Sequence, residues 1–421
     1  MRVLILIIGI LFVSAILFGQ KDSTIMENTK IGTEIQTIKI HKKGNELGNP
    51  ILNLKGKDRL LLKFDLLEQI DYGDLAYEII LCDKDWKKSA LDRYDYIDGF
   101  ESVYIRDYRH SINTYVNYIN YQVPIPTEDF SIKMSGNYVI RVFPEEDPSK
   151  TILQRRFLVT ESEIKVDASI VPPLVVGDQQ YKQQVKLKIK YPEEISNPLT
   201  NLFVSIRQNN NWTTSKSNFT ADYVRDQYLG FSDQTQFVFD GNNEFRQIDL
   251  KFNRGGNLEI AKIVKEEGMY QVYIKENKPK PYNNYIFKEE LNGKFTIKND
   301  EASDQDIESD YFNVHFELIS GYFMEGDVYV FGELTDWVVR EENKMKYNPD
   351  LRKYTLDKKV KQGMVNYCFL IKESKSGKVN IEKIEGNHFA TENDYDIILY
   401  YRDITQENDR ILGIYSFNSL Y

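Results

Sequence analysis

Apolar and polar side chains alternate with a period of two through much of this 421-residue chain. Val185, Leu187 and Ile189 alternate with lysines, and residues 248–252 and 312–318 show the same pattern. Successive side chains of a β-strand point to opposite faces, so the pattern predicts strands with one buried face. The 29 tyrosines and 23 phenylalanines favour strands too, because aromatic side chains suit a half-buried pleated surface.

Many short strands separated by turns predict an all-β fold of tandem immunoglobulin-like β-sandwich domains. Asn292-Gly293 predicts a hairpin between residues 286–291 and 295–297, because both turn positions need a positive φ. The best helix candidate is short, at residues 86–91. A transmembrane barrel also shows alternation, but these strands are short and flanked by Lys and Glu. Further strands are predicted at residues 60–64, 75–81, 138–143, 156–159, 202–207, 270–274, 328–331 and 397–402.

The chain begins like an exported protein. Arg2 precedes an uncharged run at residues 3–18, and Gly19 offers a small residue for cleavage. The run is shorter than the ~20 residues of a spanning helix, which favours a cleaved signal peptide over an anchor. The expected divisions are 1–19 signal peptide, 20–162 N-terminal β-sandwich, 163–298 middle β-sandwich, 299–309 acidic linker and 310–421 C-terminal immunoglobulin-like domain.

The residues offer little chemistry. None of the four histidines has zinc-ligand spacing, and no nucleophile elbow or phosphate-binding loop occurs, so we expect no catalytic, metal or cofactor site and no small-molecule substrate. Carboxylate pairs such as Asp83/Asp85 could serve a glycosidase, but solvated turns explain them better. The net charge of −10 argues against nucleic acid as a partner. Cys82 and Cys368 form either a disulfide or two buried thiols.

Residues 82–121 are unusually rich in aromatic side chains, which are enriched at protein interfaces. They are either a protein-binding face or the packing of a loop-rich first domain. The candidate partner-binding residues are Trp86, Tyr94, Tyr96, Phe100, Tyr104, Tyr108 and Asn113.

Residues 331–337, which end in Trp337, resemble immunoglobulin-like modules appended to glycan-active enzymes. An exposed Trp337 could stack on a sugar, whereas a buried one would close the sandwich core, and the second interpretation is favoured. This segment suggests an alternative function, a periplasmic glycan-binding or glycan-processing accessory protein.

Several motifs together resemble the plug protein family of the type IX secretion system of Bacteroidetes. The resemblance covers nearly the whole chain after the signal peptide, and the motifs are specific only in combination. They are Cys82…Asp85-Trp86…Ser89…Leu91, Gly99-Phe100, Ser111-x-Asn113-Thr114, Tyr118-x-x-Tyr121-x-x-Pro124, residues 331–337, Glu385-Gly386-Asn387…Thr391-Glu392-Asn393-x-Tyr395, Tyr400-Tyr401-Arg402 and Asp409-Arg410-x-x-Gly413.

The resemblance implies a periplasmic protein, peripheral to the inner face of the outer membrane and not membrane-spanning. Its implied partner is the outer-membrane barrel translocon SprA (also called Sov), whose idle pore it would close from the periplasmic side. It implies no catalytic residue and no cofactor, and it assigns no contact residue.

Overall fold

The computed structural model describes residues 25–67, 71–161, 164–252, 259–403 and 408–420, and the predicted signal peptide lies outside them. Strands dominate these residues, so the all-β prediction is confirmed, while its immunoglobulin-like detail stays a prediction. No helix among them has the length and apolar character needed to cross a membrane. The helical segments have one turn each: Arg93–Tyr96, Pro198–Asn201, Gln305–Glu308 and Glu382–Glu385, with 3-10 turns at Val176–Asp178, Thr235–Phe237, Glu333–Thr335 and Glu341–Asn343.

The first unit is a sandwich of a six-stranded and a four-stranded sheet with a small two-stranded sheet beside them. The large sheets share one core, in which the rings of Tyr138 and Phe157 stack 5.4 Å apart. The strands are Thr29–Lys30, Ile35–Lys42, Ile51–Asn53, Leu60–Leu67, Leu75–Cys82, Ile97–Gly99, Val103–Tyr104, Tyr108–His110, Tyr118–Ile125, Phe130–Ile132, Gly136–Pro144 and Leu153–Thr160.

The second unit combines residues from two distant parts of the chain. Leu202–Gln208 pairs with Asp394–Asp403, and Ile206 and Ile397 of these strands lie in one core. The predicted middle and C-terminal domains therefore share a sheet across the expected division at 298–310. The remaining strands of this unit are Lys165–Val171, Lys182–Lys190, Asn211–Phe219, Tyr223–Arg225, Tyr228–Gly230, Val238–Asp240 and Asn408–Asn418.

The third unit lies between those two parts of the chain and has two five-stranded sheets. Phe316 and Phe369 are fully buried in its core. Most neighbouring strands are antiparallel, but Met269–Ile274 runs parallel to Tyr311–Ile319. The other strands are Arg246–Asp249, Ile260–Glu266, Phe295–Ile297, Asp327–Phe331, Lys346–Asn348, Lys353–Lys361, Gly363–Lys372 and Val379–Asn380.

Buried contacts join the first unit to the other two. Ile80 and Leu158 pack with Tyr400 of the second unit in a separate apolar cluster. Toward the third unit, the Lys361 ammonium lies 2.7 Å from the Asp65 carboxylate, and the Tyr311 hydroxyl donates to the same group at 2.6 Å. Because a buried charge is costly without its partner, these contacts favour a single relative arrangement of the units.

Two local predictions are wrong. Residues 86–91 form no helix, because the Asp83 carboxylate accepts the backbone N–H groups of Asp85 and Lys87 and bends the chain into a turn. Asn292 and Gly293 do adopt a positive φ, but residues 286–291 form no strand. The hairpin is absent because Phe295–Ile297 pairs instead with Gly363–Lys372.

The acidic segment 299–309 packs against the first unit. Lys63 donates to the Asp306 carboxylate at 2.7 Å, and Ile307 is buried. Desolvation by burial raises the pKa of Asp306, but the ion pair with Lys63 and a hydrogen bond from Gln122 to the Asp306 carboxylate outweigh it and hold the pKa below its ordinary value. This segment therefore ties the first unit to the third.

Candidate interaction surface

Two of the predicted partner-binding side chains, Tyr94 and Phe100, stand exposed in the segment 92–100 of the first unit, with exposed fractions of 69% and 68%. The one-turn helix Arg93–Tyr96 begins at Asp92, whose carboxylate accepts the Tyr94 N–H at 3.0 Å. The Arg93 guanidinium then donates to the backbone carbonyls of Gly99 and Phe100. The backbone that carries both aromatic side chains is thus fixed by hydrogen bonds.

The backbone conformation at residue 99 requires a glycine. Its φ is +116°, and a Cβ at this position would lie 2.2 Å from the Asp129 carbonyl oxygen. Only glycine fits such a close backbone approach at this φ. The Gly99-Phe100 motif therefore positions the Phe100 side chain beside the strand pair Ile97–Gly99 and Phe130–Ile132.

Tyr104 and Tyr108 lie on edge strands of the two large sheets of the first unit, and both are about half exposed. The Tyr104 hydroxyl donates to the Glu145 carboxylate at 2.7 Å, which raises the pKa of Tyr104. The Tyr108 ring lies 5.6 Å from that of Tyr121. Both therefore present an aromatic face to solvent while one side of the residue is anchored.

Asn113 is exposed and has a φ of +58°, which asparagine tolerates better than most residues. It lies in a turn that Ser111 closes, because the Ser111 hydroxyl accepts the Tyr118 N–H at 3.1 Å. The Ile112 N–H donates to the Ile307 carbonyl at the junction with the third unit. The geometry thus accounts for the Ser111-x-Asn113 motif as a turn beside a junction.

Trp86 and Tyr96 are buried within the chain. The Trp86 ring lies 4.8 Å from that of Trp212 in a T-shaped pair, and the Arg156 guanidinium lies 4.4 Å above Trp86. Tyr96 packs in the first core, where burial raises its pKa. A partner that docks on the surface would therefore meet the other five predicted side chains.

Trp337 is buried too, with its ring packed against Phe245 and Phe331 at 5.9 and 5.5 Å. An exposed ring face is what sugar stacking requires, so this side chain does not provide one. Cys82 and Cys368 are free, buried thiols, and burial raises the pKa of Cys82 to about 12. Within the described ranges no group of His, Cys, Asp or Glu side chains has an arrangement that could hold a metal ion.

The motif at residues 385–395 builds a buried amide network. The Asn393 side chain donates to Gln183 and to the Gly241 carbonyl, and it accepts from Asn209 at 2.7 Å. The segments 240–246 and 385–393, which connect the second and third units, are held together there. The motif is explained by this junction.

Sequence reasoning missed two exposed features of the second unit. Leu174, Val175 and Val176 are three consecutive exposed apolar residues at a hairpin tip, and a run of this kind between turn residues was a usable signal. The second half of the strand Asn408–Asn418 has a free edge next to a cleft. No local pattern reveals that edge, because it depends on which strands pair.

Comparisons with known proteins agree with this architecture. Residues 35–161 match the family model described as the type 9 secretion system plug protein 1st domain. A crystal structure of a hypothetical protein from Parabacteroides merdae is similar, with 28% identity, a TM-score of 0.89, and coverage of 94% of this chain and 100% of that chain. No curated protein matches the sequence. The matched range is the first unit with both of its large sheets, and the match supports a relation of this unit to the first domain of type 9 secretion system plug proteins.

Proposed function

We propose that this protein is a non-enzymatic plug that binds the periplasmic side of the type IX outer-membrane barrel translocon, SprA/Sov, and closes its idle pore. The match of residues 35–161 to the plug first domain carries the proposal. A wide, water-filled barrel leaks unless a folded body covers it, and the buried contacts between the three units favour a stiff body. Such a protein acts in the periplasm, peripheral to the outer membrane.

A conductance measurement tests the proposal. Purified translocon in a planar bilayer should show a large open-pore conductance that falls when this protein is added to the periplasmic side. Addition to the opposite side is the control. An unchanged conductance, together with failure to co-purify with the barrel from detergent-solubilised membranes, would contradict the proposal.

We further propose that the exposed aromatic side chains of the first unit form part of the contact with the translocon. Hydrogen bonds fix the backbone that carries Tyr94 and Phe100, and the Tyr104 and Tyr108 side chains contact Glu145 and Tyr121. Aromatic side chains also have few rotatable bonds, so ordering them on binding costs little conformational entropy. Asn113 lies in the turn that follows.

A single substitution separates this contact from a role in stability. Tyr104→Ala should weaken translocon binding by roughly tenfold, as expected for an aromatic interface residue, and should leave the melting temperature within a few degrees. Tyr282→Ala is a matched control, because Tyr282 is 97% exposed and lies in the third unit. Equal binding by both variants would remove Tyr104 from the interface.

A further inference from the structure

The C-terminal strand Asn408–Asn418 is an edge strand whose second half has a free side. It pairs with Asp394–Asp403 and has no further strand beside it in its four-stranded sheet. The Ser419 N–H donates to the Asn393 carbonyl and so points toward the sheet. Because successive residues of an antiparallel strand point their N–H groups in opposite directions, Ile414, Ser416 and Asn418 point theirs outward.

These outward groups have no partner within the part of the chain that the structure describes. The earlier residue Ile411 differs, because its carbonyl accepts the Glu161 N–H and its N–H donates to the Ser135 hydroxyl. The strand edge is therefore covered by the first unit at residue 411 and open from residue 414 onward.

A cleft of about 620 Å³ borders the open half of this strand. It is lined by residues 414 and 416–418, by Asp394 and Asp396 of the neighbouring strand, and by residues of the first unit that include Asn49, Ile51 and Asn53. Because Ser416 and Asn418 pair with Asp396 and Asp394, these four residues share one face of the sheet. The cleft therefore lies over that face and reaches the open edge at Ser416 and Phe417. Its volume lies within the range of ~300–1,000 Å³ that is typical of ligand clefts.

The open edge also lacks the features that keep other edges from pairing. Natural edge strands carry charged side chains or proline that prevent the addition of another strand. The edge strand Ile260–Glu266 carries Lys262 and Lys265, and Lys165–Val171 carries Lys165 and Asp167. Residues 411–418 carry no charge and no proline.

We infer that this cleft binds an extended peptide segment of the translocon, which adds as a strand to residues 414–418. Main-chain hydrogen bonds provide the affinity in this kind of recognition, and alternate side chains of the peptide contact the walls. The polar lining, with Asn49, Asn53 and Asn418, suits a peptide backbone. The inference rests on the proposed plug function and names a contact separate from the aromatic side chains of the first unit.

Two variants at one position test the inference. Ser416→Pro removes the outward N–H without breaking the pairing with Asp394–Asp403, and proline is tolerated at such an edge. Ser416→Ala is the matched control, because it loses the same hydrogen bond from the Ser416 hydroxyl to Asp396 but keeps the N–H. Detergent-solubilised translocon should bind Ser416→Pro about tenfold more weakly than Ser416→Ala, which corresponds to about one hydrogen bond.

Hydrogen exchange of the wild-type protein gives an answer even where Ser416→Pro does not fold. The outward amides of Ile414, Ser416 and Asn418 should exchange at least tenfold more slowly in the translocon complex than in the free protein. If the wild type binds while these amides exchange at an unchanged rate, the strand-addition inference fails and the plug function stands. If the wild type does not bind, both fail. Protection that grows with protein concentration alone would assign the edge to a second copy of this chain and overturn the inference.

Discussion

The Asn393 side chain lies where the two segments that connect the second and third units, 240–246 and 385–393, are held together. Its amide joins Gln183 of the second unit to Asn209 and to the Gly241 carbonyl, next to the point where the chain leaves for the third unit. The side chain is 1% exposed, so water cannot replace these hydrogen bonds. A buried polar group that loses its partner costs about 1–3 kcal/mol.

We therefore expect Asn393→Ala to lower the free energy of unfolding by about 3 kcal/mol, because both Gln183 and Asn209 lose a buried partner. Urea denaturation measures this change. Asn117→Ala is a suitable control, because Asn117 is exposed and its truncation should change stability by less than about 0.5 kcal/mol. Equal effects of the two substitutions would contradict a role for the amide network.

A second prediction at this scale concerns Lys358, which is buried and donates to the Asn343 side chain at 2.9 Å. Desolvation lowers the pKa of Lys358 to about 8. Between pH 8 and the ordinary lysine value of 10.5 the unfolded chain binds more protons than the folded one, so stability rises with pH there. Lys358→Met should remove that rise in urea denaturation at pH 7, 8 and 10, whereas the exposed control Lys346→Met should keep it.

Among the elements, the turn at residues 83–88 joins the first unit to the second. Trp86 has a φ of +63° and packs against both Arg156 of the first unit and Trp212 of the second, so this turn fixes the two units against each other. The pair Arg156–Trp86 is a cation–π contact with little access to water, and such contacts are worth up to about 2 kcal/mol.

Trp86→Ala should lower the free energy of unfolding by about 3–5 kcal/mol, the range for truncating a buried tryptophan. Tyr94→Ala is the matched control from the same segment, because Tyr94 is 69% exposed, and its effect on stability should stay within about 0.5 kcal/mol. Thermal and urea unfolding of the two variants measure the difference. A small effect at position 86 would mean that the turn is dispensable for the junction.

The same turn shows what the sequence could and could not predict. Alternation located the strands well: residues 185–189 and 312–318 lie within Lys182–Lys190 and Tyr311–Ile319. Residues 86–91 were the best helix candidate, but the Asp83 carboxylate competes for the backbone N–H groups and a turn forms. The sequence did not predict which strands pair, because paired strands such as Leu202–Gln208 and Asp394–Asp403 are separated in the chain by the whole third unit.

The candidate contact residues were also predictable only in part. Aromatic richness at residues 82–121 was visible, but exposure depends on which face of each element meets a core. Tyr94 and Tyr96 differ by two residues in a one-turn helix, yet one is exposed and the other buried. The binding role of the exposed side chains stays a prediction that the translocon experiments test.

At the scale of the whole molecule, ion pairs join the units, so we expect low pH to lower the stability of the protein. Glu161 of the first unit accepts from Arg410 of the second unit at 2.7 Å. Burial raises the pKa of Glu161, but hydrogen bonds from Arg410 and Ser135 outweigh it and leave the pKa below its ordinary value. A carboxylate of this kind stabilises the fold above pH ~4.5 and loses that contribution as pH falls through its folded pKa.

We expect Glu161→Gln to be less stable than the wild type at pH 7 and to differ progressively less as pH falls below ~4.5. Melting temperatures between pH 7 and 3 measure this convergence. Glu289→Gln provides a control, because Glu289 is exposed in the third unit and its removal should shift no melting temperature at any pH. A difference between wild type and Glu161→Gln that persists at pH 3 would show that the charge is not responsible.

The pairing of Leu202–Gln208 with Asp394–Asp403 also limits the order in which the units can fold. The first unit is contiguous in sequence, so it can assemble as soon as residues 29–160 are available. The second unit must wait for its last two strands, and its half-built sheet stays exposed while the third unit forms. Long-range pairing of this kind slows folding and prolongs exposure to aggregation. If the chain enters its compartment with the N-terminus first, the middle of the chain would therefore stay incompletely folded for longest. We expect this part, and neither end, to need the longest protection from aggregation.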